Sequence, residues 1–380
     1  MIGDRRTPTA LIGAATFGIG EAPGFTSMDL ASRAALAALE ESGLSLSQVD
    51  GLFIALPNDF LSGLSFAEYL GIQPKLTNNN RTGGSAFLTQ MNVAAHALAA
   101  GEIDVALVAY GSNQRTGVGG LVSAAGPNLY EKPYSPRLPV SGYALAASRH
   151  MYEFGTTRDH FYAVAKTARE WAMLNPEAFL RKPLSREEYD NARMVSDPLS
   201  VLDCCLVTDG AAAAVMVRKD WADGRTAAYL LGVGEATDHY QIAQMPDLTT
   251  SAAKASSARA YAQARITVSD IDVVQLYDAF TINTILFLED LGFCKKGEGG
   301  DFVASGAIGP GGQLPVNTNG GGLACVHPGM YGLFTIVEAY RQLTGTAGDR
   351  QVAADLAVAH ANGGFLSSQV TAVLGSAATL

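Results

Sequence analysis

NTNGGGLACVHPGMYG, Asn317 to Gly332, places five glycines around a histidine that is pinned by the proline after it. The run that follows, LFTIVEAYRQL, carries apolar residues at helical spacing. A glycine-rich turn feeding a helix start brings backbone N–H groups close to a ligand and turns them toward developing negative charge. His327 in such a turn is a candidate acid, base or oxyanion donor, with Tyr331 just beyond it.

Outward from this stretch, one order of elements is read twice. Thr9 to Gly18 is an apolar run of strand length. Ser27 to Ser42 predicts an amphipathic helix, with Leu30, Ala34, Ala37 and Ala38 on one side, and Gly51 to Leu56 a buried strand. Strand, helix and strand predict parallel βαβ units. The unit recurs as LLGVGEA (Leu230–Ala236), a helical SAAKASSARAYAQA and then ARITVSDIDVVQLYDAF. Set against SGLSLSQVDGLFIAL, Leu44 meets Ile266, Ser45 meets Thr267, Ser47 meets Ser269, Val49 meets Ile271 and Asp50 meets Asp272. Downstream of each comes a glycine-led helix and a further strand. A tandem duplication follows, with halves 1–222 and 223–380 joined near Arg218–Ala227 after the apolar AAAAVMV. Residues 113–200 stand outside the repeat. They form a long insertion with helices expected at 141–154 and 157–174, of the kind that carries lids or subunit contacts.

Composition narrows the function classes. Of 380 residues 48% are hydrophobic and only 16% charged, unusually apolar for a soluble monomer, yet no run reaches membrane length. Buried subunit interfaces explain this, so an obligate oligomer, a homodimer, is expected. A net charge of −10 leaves no basic stripe for nucleic acid. Cys204, Cys205, Cys294 and Cys325 have neither metal-ligand spacing nor a disulfide framework. MIGDRRTPTALIG reads as no signal peptide, so a cytoplasmic setting is expected. Cys204 and Cys205 are expected on an apolar strand, and Cys325 as a small buried residue.

Related loops of a duplicated α/β fold face each other across the pseudo-dyad. TNNNRTGGSAF (Thr77–Phe87) is the first-half loop and VHPGMYG its counterpart, each leading into a helix. LYDAFT and AHANGG end two further strands. Together they bring Tyr277, His327, Tyr331 and His360 into one expected site with acid–base groups and no metal.

This set of motifs resembles the thiolase superfamily over nearly the whole chain, and within it the lipid-transfer, sterol-carrier-associated branch. NTNGGGLACVHPGMYG is similar to that family's NxxGG…GHPxGxxG loop, YDAFT to its NEAF or HDCF loop, and AHANGG to its C-terminal CxGGGxG loop. The resemblance implies a thiolase fold, two duplicated halves in a five-layered αβαβα arrangement, and a dimeric or tetrameric enzyme acting on acyl-CoA. Where thiolases place a nucleophilic cysteine at the first-half helix start, this chain reads NNNRTGGSAF, with Ser85 the nearest hydroxyl. The family's second cysteine is matched by His360, and its Asn or His beside an oxyanion-site water by Tyr277.

Without a thiolate, an ordinary acyl-enzyme is not expected. What fits the surviving groups is retro-aldol cleavage of a β-hydroxyacyl-CoA, in which a base takes the hydroxyl proton and the thioester enolate is stabilised and protonated. The resemblance to aldolases that shorten steroid side chains makes Tyr331 and Tyr277 the base and proton donor, with His327 orienting the thioester and His360 supporting it. Asp278 is expected to orient its neighbours, and Ser85, Asp278, Asn317, Gly329 and Gly363 to form the substrate and oxyanion surroundings. No covalently bound cofactor is expected; the coenzyme A thioester is the substrate. Such aldolases work with a small zinc-ribbon/OB-fold partner. Two other readings stay open: an acetyltransferase or thiolase with an unconventional nucleophile such as Ser85, and a non-enzymatic acyl-CoA or lipid-binding scaffold. Tyr240 is read as a loop aromatic.

Overall fold

Each half opens with a long strand and closes with another laid against it. In the computed structural model, which describes residues 9–118, 121 and 129–380, β1 (Thr9–Gly20) leads into α1 (Ser27–Ser42). A capping box of Thr26 and Asp29 starts α1, and Gly43 in the left-handed region ends it. β2 (Gly51–Ile54), α2 (Ser62–Leu70), β3 (Leu76–Asn78), α3 (Ala86–Ala100) and β4 (Val105–Ser112) follow. The insertion adds α4 (Val140–Phe154), α5 (Arg158–Met173), α6 (Arg186–Asp190) and a ribbon of β5 (Met194–Ser196) and β6 (Leu199–Ser200). β7 (Asp209–Arg218) closes the first half. The second half runs β8 (Ala228–Thr237), α7 (Ala253–Ala264), β9 (Val273–Leu276), α8 (Thr281–Asp290), α9 (Gly299–Ala304), α10 (Gly332–Leu343), β10 (Leu356–Gly363) and β11 (Ser368–Gly375). The N-terminal stretch read for a signal peptide, at residues 1–8, lies outside the described residues, as do Gly119 and Gly120 of the insertion.

The main sheet has the order β3-β2-β4-β7-β1-β8-β11-β10-β9. Read outward from the short β1–β8 contact, β1-β7-β4-β2 on one side answers β8-β11-β10-β9 on the other. A single parallel bridge between Val274 and Val316 stands where β3 lies in the first half. The centre of this pseudo-symmetry lies between β1 and β8. The aligned capping residues also match: Ser45 caps a short turn with Gln48, and Thr267 does so with Asp270. Asp50 then receives the amides of Asp104 and Val105 at the start of β4, and Asp272 those of Asp355 and Leu356 at the start of β10.

The expected units hold in direction: β1 and β2, like β8 and β9, run the same way, with other strands standing between them in the sheet. β2 pairs in parallel with β3 and β4, and β9 with β10, but β7 and β11 are antiparallel to both of their neighbours. The cause is plain in the second half. β11 returns from β10 through residues 364–367 alone, a link that allows a hairpin and no crossover.

Five layers result. α1 covers β1, β4 and β7 on one outer face, and α7 covers β8 and β11 on the other. Between the half-sheets lie α3 and α10, which touch strands of both. The larger core joins Phe87, Leu88 and Met91 of α3 to Leu333, Phe334 and Ile336 of α10; a second core lies under α1. No helix among the described residues is long and apolar enough to cross a membrane. Cys204 and Cys205 are not on a strand. They lie in the link before β7, pulled there by the bridge of Cys204 to Phe280 and by the Cys205 N–H donating to the Ala279 carbonyl at 2.8 Å.

Candidate active site

The starts of α3 and α10 meet so closely that only glycines fit between them. A Cβ on Gly332 would lie 2.0 Å from the Gly84 carbonyl oxygen, and one on Gly363 would lie 1.7 Å from that of Thr82. A Cβ on Gly84 would stand 1.9 Å from Cε2 of Tyr277, so this glycine makes the seat for the tyrosine ring. Tyr277 sits just past β9, its backbone N–H donating to the His360 carbonyl at 2.9 Å.

From that seat the Tyr277 hydroxyl meets His327 Nε2 at 3.0 Å, with the two rings nearly perpendicular. The HPG turn that carries His327 is pinned from the first half of the chain. His327 N–H donates to Thr208 Oγ1 at 3.0 Å, Gln114 Nε2 donates to the His327 carbonyl at 2.6 Å, and the Tyr110 hydroxyl donates to the Pro328 carbonyl. Gly329, at φ 96°, turns the chain toward Tyr331. The Tyr331 ring stacks on Phe334 and meets Tyr277 edge to face at 5.7 Å, while its hydroxyl donates to Asn319 Oδ1 at 3.0 Å.

Asn317 and Asp278 build the wall behind this group. Asn317, left-handed at φ 53°, accepts the Leu276 amide on Oδ1 at 2.6 Å and so ties the glycine-rich loop to β9. Asp278 accepts the Gly322 amide at 2.6 Å, and a Cβ on Gly321 would collide with its carboxylate at 2.0 Å. The glycine run lets the backbone close around that carboxyl group.

Burial dominates the electrostatics. It lifts Tyr277 and Tyr331 well above the ordinary phenol range and lowers His327 to about 4, so all three are neutral near pH 7. Asp278 is pushed up to about 7 by the same desolvation, against the pull of its amide donors. The thiols are kept protonated: burial raises Cys204 to about 12 and carries Cys205 and Cys325 far up. Among the described residues no group of His, Cys, Asp or Glu could hold a metal ion.

Two expected site residues are not brought into this group. His360 lies on β10 with its ring turned to the other face. Nδ1 meets Thr371 Oγ1 and Nε2 meets Gln369 Oε1, each at 2.9 Å, and the ring packs on Phe287. The position that points into the site is Ala361, whose Cβ lies beside Gly332. Along a strand a one-residue offset reverses the face, and the pattern match fell on the wrong neighbour. Ser85 is fully buried, and its hydroxyl is taken up by Thr82 and, at 2.9 Å, by Ser368 Oγ, with no base bonded to it. Tyr240 is 71% exposed. Residues that sequence reasoning passed over are Asn319, Gly84 and the pinning trio Tyr110, Gln114 and Thr208. Only Asn319 left a signal, as the second asparagine of NTNGG.

A family profile described as thiolase C-terminal domain-like matches residues 234–376. The chain is 34% identical to the 17-hydroxy-3-oxo-4-pregnene-20-carboxyl-CoA lyase of Mycobacterium tuberculosis, over 89% of this chain and 92% of the lyase. The chain belongs to the thiolase superfamily. It is also 32% identical to the acetyl-CoA acetyltransferase of Methanothermobacter thermautotrophicus, over 93% of this chain and 96% of that enzyme. Among solved structures it resembles the Ltp2–ChsH2(DUF35) aldolase, with a TM-score of 0.89 at 29% identity, covering 98% of this chain and 99% of that one.

Proposed function

We propose that this member of the thiolase superfamily cleaves a carbon–carbon bond of a β-hydroxyacyl-CoA by retro-aldol chemistry, with no covalent acyl-enzyme. The observation that carries this reading is the 3.0 Å contact of the Tyr277 hydroxyl with His327, with Tyr331 across from it. Tyr277 fits the base, because neutral His327 Nε2 can take its proton as Tyr277 takes the proton of the substrate hydroxyl. The Cα–Cβ bond then breaks, its electron pair forms the thioester enolate, and the carbonyl fragment leaves. Tyr331 fits the donor that protonates the enolate carbon, and the proton held at His327 then makes good the one Tyr331 has lost, which restores all three groups. The loop amides at the start of α10 favour the enolate's negative oxygen.

Support for a bulky, steroid-type acyl group comes from the similarity to a pregnene-carboxyl-CoA lyase, and support for a DUF35-type protein partner from the similarity to an aldolase assembled with one. A homodimer is proposed on the apolar composition, and a cytoplasmic setting on four cysteines that all stay free. The similarity to an acetyltransferase favours a second reading, acyl transfer, but Ser85 has no base to activate it.

The test is to co-express the chain with a DUF35-type protein and to supply a panel of β-hydroxyacyl-CoA esters. Release of a ketone with a shortened acyl-CoA is expected. Transfer of an acyl group to free coenzyme A, with no ketone, would establish acyl transfer instead.

A further inference from the structure

Beside Tyr143 lies an amide whose two ends form no ordinary hydrogen bond. Asn283, in the first turn of α8, is fully buried, and neither its Oδ1 nor its Nδ2 has a hydrogen-bond partner. A buried polar group left unpaired is costly, so an amide open at both ends asks for a use.

The neighbouring Tyr143 hydroxyl has no hydrogen left for Asn283 Oδ1. Asn283 approaches the Tyr143 hydroxyl without reaching hydrogen-bond geometry. That hydroxyl donates to the Gly364 carbonyl at 2.9 Å and accepts from Asn362 Nδ2 at 2.8 Å. Gln369 commits its two N–H groups to Asn362 Oδ1 and the Leu366 carbonyl, each at 2.9 Å. Its Oε1 therefore accepts from His360, which is fixed as the Nε2–H tautomer with Nδ1 facing Thr371. This directed chain holds Tyr143 in place and leaves it no hydrogen to offer. The Tyr143 ring lies 4.3 Å from Phe280, in the loop that carries Tyr277, and half-buried Cys205 borders the same loop.

We propose that Asn283 is a substrate-binding residue whose amide takes up a neutral oxygen of the acyl-CoA, its hydroxyl or its thioester carbonyl, beside Tyr277. The amide offers two donors and an acceptor, the complement of a neutral oxygen. The groups gathered at Tyr143, Asn362 and Phe280 carry no charge that would pair with an ion. This rests on the acyl-CoA reading above.

The test uses Asn283→Leu, which removes both bonding ends at similar volume, and Asn283→Ala should the leucine not fold. Three probes are compared in the full chain with its partner: a β-hydroxyacyl-CoA, the matched deoxy ester, and an S-alkyl thioether of coenzyme A that lacks the carbonyl. The substitution is expected to weaken the hydroxy ester by about tenfold or more, while leaving unchanged the one probe that lacks the recognised oxygen. If all three probes bind the variant as they bind the wild type, the amide serves only a buried water and the proposal is overturned. If the wild-type chain binds none of them, the acyl-CoA reading fails first and takes the proposal with it.

Discussion

The start of α3 and the start of α10 occupy equivalent places in the two halves, yet one supplies space and the other supplies titratable side chains. At α3 the chain presents Gly83, Gly84 and a serine whose hydroxyl is occupied by Thr82 and Ser368. At α10 it presents His327 and Tyr331, with Tyr277 from the neighbouring loop seated on Gly84. Contact across the pseudo-dyad demands glycine from both sides, because a Cβ at Gly84 or Gly332 would collide. The acid–base groups then need to stand on one side only. Duplication keeps the scaffold symmetric while the chemistry is free to move.

The comparison breaks first at the tyrosines. Tyr331→Phe and Tyr277→Phe should each cost about 10²–10⁴-fold in kcat while fold and acyl-CoA binding persist, since general acid–base groups contribute about that much. Turnover near wild type in either variant would remove that tyrosine from the reaction. Gly84→Ala tests the other side. By displacing the Tyr277 ring it should lower kcat by about a hundredfold, the cost of misplacing a reacting group by about 1 Å; steady-state kinetics with circular dichroism would separate this from unfolding.

A smaller effect contrasts the two histidines. Burial lowers His327 to about 4 and His360 to about 3, both below the ordinary value for histidine. As pH falls under about 6.5 the unfolded chain takes up protons first, so stability present above that pH is lost down through the folded values, at ~1.4 kcal/mol per unit for each histidine. His360→Asn should therefore flatten the acid limb of a urea-midpoint titration, while keeping kcat at least about tenfold above that of His327→Asn. Equal losses of kcat would return His360 to the chemistry. The smallest change belongs to Ser85→Ala, expected to leave kcat within about threefold; a drop of the size seen for the tyrosines would revive an acyl-serine.

Much of the scaffold was legible in the chain. The pairing of Asp50 with Asp272 and of Ser45 with Thr267 reappears as matching caps and matching strand ties, because such side chains act over a few residues and leave local patterns. The direction of β7 and β11 was not legible. β7 and β11 are buried on both faces, so their apolar runs read alike in either sense. In the site, His327 and Tyr331 drew attention because they stand in a glycine-marked loop, and Tyr277 because LYDAFT ends a strand. His360 drew attention as a titratable group, whereas strand alternation puts it and Asn362 on one side, both bonded to Gln369, and Ala361 on the other. Tyr110, Gln114 and Thr208 pin the HPG turn from far away in sequence, where no spacing rule reaches.

The central claim is that cleavage runs through tyrosine and histidine with no acyl group ever attached to the chain. Intact-protein mass spectrometry on samples quenched during turnover of a β-hydroxyacyl-CoA tests it most directly. The account predicts an unchanged protein mass while ketone and shortened acyl-CoA accumulate. A transient mass gain of one acyl group, mapped to Ser85 or to any of the cysteines, would contradict it.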